Sequence, residues 1–119
     1  MKISFVIPCY RSQKTLAGVI HEVQETMATL NGYTYEIILV NDASPDDTFS
    51  EIRRLCKEND NIIGIDMAKN FGQHSALMAG FHEVSGEIVI CLDDDGQTPA
   101  NEVGKLLDKI NEGYDVVYA

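Results

Sequence analysis

Short runs of β-branched and apolar residues alternate along this chain with longer stretches in which apolar residues recur every three or four positions. Such alternation is the signature of a parallel sheet whose crossover helices cover its faces. Five strands are predicted: Ile3 to Ile7, Glu36 to Val40, Ile62 to Asp66, Glu87 to Leu92, and Asp115 to the end. The runs IILV and IVICL in strands two and four are almost continuously apolar, which suits strands buried on both faces. Between the strands, three core-facing helical stripes are expected from residue spacing: Leu16, Val19, Val23, Met27 and Leu30; Phe49, Ile52 and Leu55; and Leu77, Phe81 and Val84. A fourth comprises Val103, Leu106, Leu107 and Ile110, with Thr98 as N-cap and Pro99 in the first turn. Gly32 and Gly113 fit positions just past helix ends. The fold class is therefore α/β, a mostly parallel sheet with helices on both faces. The last strand ends at the final residue, and a longer protein is expected.

A chain of 119 residues with 45% hydrophobic content can form one domain with a core of its own. Its formal charge of -10 argues against wrapping nucleic acid, which calls for clustered Lys and Arg. An anionic ligand would need local help. No apolar run approaches the length of a spanning helix, and MKISFVIPCY is broken too early by Pro8 to serve as a signal peptide. Cys9, Cys56 and Cys91 are far apart and odd in number, so neither a disulfide framework nor a zinc site is supported. A reducing, cytoplasmic setting fits this usage.

In open parallel α/β sheets, ligands bind beyond the carboxyl ends of the strands. Four polar segments fall there: Pro8 to Ser12, Asn41 to Thr48, Ala68 to His74, and the acidic run after strand four. Each has an ordinary structural explanation. Asp42, Ser44, Asp46 and Asp47 are common turn and helix-cap residues, Tyr10 would cover the sheet end, and His74 sits near a helix start. A lone Gly72 before a helix would let a phosphate approach backbone N–H groups, a weak signal by itself.

The run ICLDDDGQTP crowds three carboxylates, Asp93, Asp94 and Asp95, at one strand end. Two unit charges about 4 Å apart repel by roughly 1 kcal/mol in water and about 4 kcal/mol near a protein surface. A divalent cation would offset this; a solvated acidic turn would also tolerate it. The run alone leaves both open. In strand four, residue alternation would send Asp93 and Asp95 to the same side, which lets both reach one ion.

Taken together, the segments resemble the N-terminal half of glycosyltransferase family 2, inverting enzymes of the GT-A fold that use nucleotide sugars. FVIPCY is similar to that family's opening strand, VNDASPDDT to its VDDGSxDGT segment, NFGQHSALMAGF to its N-x-G-x-x-x-A-x-x-x-G helix, and LDDDGQ to its DxD motif. The resemblance implies a Rossmann-like nucleotide-binding half spanning residues 1–119, with a nucleotide diphosphate sugar as donor. It places Pro8, Tyr10 and Asp42 at the base, with Asp42 accepting a ring N–H of a uracil-like or guanine-like base. It places Gly72 and Gln73 near the diphosphate and Asp94 toward the ribose or sugar. Asp93 and Asp95, with Gln97, would bind Mg²⁺ or Mn²⁺, ions suited to oxygen ligands. A diphosphate leaving group accumulates negative charge, which a divalent ion stabilises.

The general base of that family lies in its acceptor half, expected beyond Ala119, and residues 1–119 are expected to bind donor without turning over. The chain has Arg11-Ser12 where the family usually continues Asn-Glu, and Asp94 and Gly96 where lipid-phosphate members carry small and apolar residues. The helix and DxD forms lean toward the polyprenyl-phosphate branch, with a growing polysaccharide as the other acceptor, implying a cytoplasmic protein, in its full length at the cytoplasmic face of the membrane through a lipid acceptor or C-terminal segments. Two other functions compete. A haloacid-dehalogenase-type phosphatase would use DxDGT, which Asp93, Asp95 and Gly96 fit and Gln97 does not; a non-catalytic nucleotide-binding module would need no turnover.

Overall fold

The computed structural model describes residues 1–94 and the backbone of residues 116–118. Five parallel strands form one sheet: β1 (Lys2–Cys9), β2 (Thr34–Asn41), β3 (Ile62–Asp66), β4 (Ile88–Cys91) and β5 (Val116–Tyr118), in the order β3-β2-β1-β4-β5. Helices α1 (Leu16–Ala28), α2 (Thr48–Glu58) and α3 (Gln73–Phe81) connect the first four strands. All five predicted strands are present, β3 with the predicted bounds and the others with bounds shifted by one or two residues. The predicted fourth helix, Thr98, Pro99 and Gly113 lie outside the described residues.

Successive strand residues face opposite sides. Ile3, Phe5, Ile7 and Cys9 of β1, with Ile37 and Leu39 of β2, pack under α1 and α2 through Leu16, Ile20, Val23, Ile52 and Leu55. Val6, Ile38, Val40 and Cys91 face the other way, against Ala76 of α3. The sheet therefore carries helices on both faces, and its central strands are buried on both, as continuous apolar runs demand. Leu30 lies beyond the end of α1 but still packs on the core, and Gly32 (φ +87°) forms the turn into β2 rather than capping the helix.

The third expected stripe is present and wider than expected. Leu77, Phe81 and Val84, the last past the helix end, are partly buried and pack against the cluster around Val6, while Ala76 and Gly80 of α3 are buried. A Cβ on Gly80 would come within 2.5 Å of Val6 Cγ1 and 3.2 Å of Val40 Cγ2. Small residues are needed because the helix lies directly on two β-branched side chains.

Strand order places the loops. The chain runs outward from β1 through β2 to β3, then returns to the other side of β1 with β4. Neighbouring crossovers thus diverge at β1 and β4, where the strand ends leave a crevice.

Candidate functional site

A cleft of about 430 Å³ opens at that point. It is lined by Pro8, Cys9 and Tyr10 after β1, Asp42 after β2, Asn70, Gly72 and Gln73 before and at the start of α3, and Asp93 and Asp94 after β4. Seven residues singled out in the sequence, Pro8, Tyr10, Asp42, Gly72, Gln73, Asp93 and Asp94, are thereby brought together. Asp95 and Gln97 lie outside the described residues. Cys9 and Asn70 line the cleft without having been singled out; Asn70 opens the family-like helix motif, and that position was the available signal.

Hydrogen bonds between loops hold the rim. The Tyr10 N–H donates to Asp94 Oδ2 at 2.9 Å, and Thr15 Oγ1 donates to the Asp94 carbonyl at 2.8 Å. The middle carboxylate of the acidic run thus fastens the β1 loop to the β4 end, a role that strand periodicity could not reveal. Arg11 and Ala43 both take φ of 53°, an uncommon conformation for residues with a side chain, where the chain turns over the ends of β1 and β2. The Arg11 N–H donates to Ser44 Oγ at 2.8 Å, and its guanidinium lies 5.5 Å from the Tyr10 ring centroid.

The aspartates after β2 divide by role. Asp46 accepts the Thr48 N–H at 3.1 Å and the hydroxyls of Ser44 and Thr48, fixing the start of α2. Its partial desolvation works against ionisation, but these bonds outweigh it and hold the carboxyl below the usual range. Asp42 is instead buried and lines the cleft, where Oδ1 accepts the Phe71 N–H at 3.1 Å. Turn chemistry explains Asp46; it does not explain Asp42.

Gly72 precedes α3 with φ +96° and ψ 165°, a region glycine alone enters readily. Its N–H donates to Asn70 Oδ1 at 3.0 Å, and the first helical bond runs from Ala76 N–H to the Gly72 carbonyl. The N–H groups of residues 73–75 therefore lack an acceptor within the helix, next to the cleft wall formed by Gly72 and Gln73.

β4 ends at Cys91, so Asp93 lies past the strand, and its pairing with Asp95 expected from strand alternation falls outside the described residues. Leu92 still donates its N–H to the Val6 carbonyl at 3.1 Å, after which the chain leaves the sheet. Asp93 and Asp94 are both partly exposed at the cleft. Among the described residues no group of three or more His, Cys, Asp or Glu side chains is gathered to hold a metal ion. The cleft nonetheless has three carboxylates and no lysine or arginine among its described lining residues, so an anionic ligand would meet net repulsion there without a cation. Hard oxygen donors with that charge fit Mg²⁺ or Mn²⁺. The thiols offer no alternative. Burial, reinforced by the Asp94 charge, pushes Cys9 far up, and burial pushes Cys91 up to about 11.

The family model for glycosyl transferase family 2 matches residues 4–119. The chain belongs to that family. An undecaprenyl-phosphate 4-deoxy-4-formamido-L-arabinose transferase of Klebsiella pneumoniae (strain 342) is 41% identical over 117 residues, covering 98% of this chain and 36% of its own length. The chain thus spans about a third of the length of the curated relatives it matches. Among solved structures, TarS 1-349 of S. aureus in complex with UDP superposes with a TM-score of 0.69 at 22% identity, covering 94% of this chain and 32% of that one. The mannosyltransferase PcManGT from Pyrobaculum calidifontis, in complex with GDP-Man and Mn²⁺, gives 0.70 at 23% identity over 84% of this chain and 29% of its own. These likenesses show a shared fold. Family 2 membership confirms the GT-A resemblance and leaves the phosphatase alternative without support.

Proposed function

We propose that residues 1–119 form the nucleotide-sugar-binding half of a metal-dependent glycosyltransferase, with the acceptor half and general base supplied from outside them. The observation that carries this reading is the convergence of Pro8, Tyr10, Asp42, Gly72, Gln73, Asp93 and Asp94 on one cleft at the strand ends. Asp42 would accept the ring N–H of the base, with Pro8 and Tyr10 against its face. Gly72 and Gln73, at the start of α3, would receive the diphosphate. Asp94, which holds the β1 loop through the Tyr10 N–H, would face the ribose or sugar.

Asp93, with Asp95 and Gln97, would hold Mg²⁺ or Mn²⁺. Such an ion, when bound, neutralises the diphosphate and stabilises charge on the leaving group. The Mn²⁺ of the similarly folded mannosyltransferase supports this choice. The 41%-identical relative supports a polyprenyl phosphate as acceptor, and with it a site of action at the cytoplasmic face of a membrane. No helix among the described residues is long and apolar enough to cross a membrane, so attachment would come through the lipid acceptor or other segments.

Titration calorimetry with uridine and guanosine diphosphates tests the reading. Binding of at least one with Mn²⁺, abolished by chelator and weakened at least tenfold in Asp93→Ala, is expected. Affinity indifferent to chelator, or no binding of either nucleotide with Mn²⁺ present, would overturn it.

A further inference from the structure

Asp42 joins two parts of the cleft. Its carboxylate is 5% exposed, and Oδ1 accepts the Phe71 N–H at 3.1 Å. Phe71 is the middle of a turn whose neighbours Asn70 and Gly72 line the cleft together with Gln73. Little else fastens this turn. The Phe71 side chain is 61% exposed, and the Asn70 to Gly72 bond is internal to the turn. The bonds from Met67 N–H to the Asn41 carbonyl and from Asn41 Nδ2 to Asp66 Oδ1 secure β3 just before it. Among the described residues, Phe71 to Asp42 is the one hydrogen bond that ties residues 68–72 to the strands and loops of β1 and β2. Asp42 Oδ2 accepts no bond from a described residue.

We infer that Asp42 is a positioning residue for the phosphate-facing turn: one carboxylate oxygen reads the base while the other holds residues 70–72, so the base and diphosphate ends of the donor bind cooperatively. The inference rests on the nucleotide reading of the cleft. A base N–H on Oδ2 fixes the carboxylate rotamer and keeps Oδ1 aligned with Phe71; a turn held in place fixes the same rotamer for the base. Such coupling is reciprocal by thermodynamic necessity. It also lowers the ordering cost of the second half of the ligand.

Two variants of equal charge isolate the effect. Asp42→Asn keeps an oxygen acceptor for the Phe71 N–H but turns the second acceptor into a donor, whereas Asp42→Ala removes both. Calorimetry with pyrophosphate and with uridine and guanosine diphosphates, all with Mn²⁺, is combined with hydrogen exchange at the Phe71 amide without ligand. Pyrophosphate should bind Asp42→Ala more weakly than Asp42→Asn, by on the order of tenfold. The Phe71 amide should exchange faster in the alanine variant only. Nucleoside diphosphate affinity should fall in both. Equal pyrophosphate affinity in the two variants with equal Phe71 protection overturns the coupling and leaves the nucleotide site standing. Failure of the unsubstituted chain to bind either nucleoside diphosphate overturns the reading beneath it. If Asp42→Ala does not fold, Asp42→Asn decides: retained pyrophosphate affinity with reduced nucleotide affinity supports the inference, and equal loss of both refutes it.

Discussion

Gly80 lies so close to Val6 that a Cβ on the glycine would sit 2.5 Å from Val6 Cγ1. Val6 is a β-branched residue on a central strand paired on both sides, so neither its rotamer nor its backbone yields readily. Gly80→Ala should therefore destabilise the chain despite the roughly 1 kcal/mol that alanine gains over glycine in a helix. Overpacking costs about 1–3 kcal/mol, which leaves a net loss of up to about 2 kcal/mol. Urea unfolding should show a lower midpoint, and a higher one would contradict the close helix–sheet contact.

At the opposite end of the sheet, Glu36 is buried on β2 and gathers Ser4 Oγ at 2.6 Å, the Ser85 N–H at 2.7 Å, Ser85 Oγ at 3.0 Å and Lys2 Nζ at 3.5 Å. Burial alone would raise its pKa, but the hydrogen bonds and the Lys2 charge together hold it below the ordinary glutamate value. A depressed folded-state pKa contributes stability that is present above the unfolded value and is lost as pH falls through the folded one. The stability difference between the native chain and Glu36→Gln should therefore shrink from pH 7 toward about pH 3, past the ordinary value of about 4.3. Urea midpoints at several pH values measure it; a difference constant with pH would show that the carboxylate charge is not what the network holds.

The cysteines should be quiet in the folded chain. Cys9 and Cys91 are 0% and 6% exposed, and burial raises both thiol pKa values. Cys56 is only half-buried, with a smaller rise from the same cause. A chromogenic disulfide reagent at pH 8 should titrate Cys56 first and reach the other two only in denaturant. Rapid reaction of Cys9 in the native chain would mean that the cleft floor opens to solvent.

Much of the site was readable because it falls at strand ends, and strand ends are marked by where apolar runs stop. Pro8 and Tyr10 follow FVI, Asp42 follows IILV, and Asp93 follows IVICL, so local pattern placed each on one rim. What the pattern lacked was the bond partner. Asp42 and Asp46 look alike in sequence, yet one is buried in the cleft and the other holds the Thr48 N–H at the start of α2, because only one of them faces the turn at Phe71. Glu36 escaped for the same reason: its partners Ser4 and Ser85 lie 32 and 49 positions away.

The sequence by itself determined the number and place of the strands, the parallel α/β class and the motif order that marks family 2, since these depend on hydrophobic period and short-range chemistry. Tertiary structure alone decided the order β3-β2-β1-β4-β5, the close seating of Ala76 and Gly80 on the sheet beside Leu77 and Phe81, and the tie of Asp94 to Tyr10. Those outcomes turn on how closely two backbones approach and which loops share a rim. Such distances are set by packing across the whole sheet, and no local window of residues contains them.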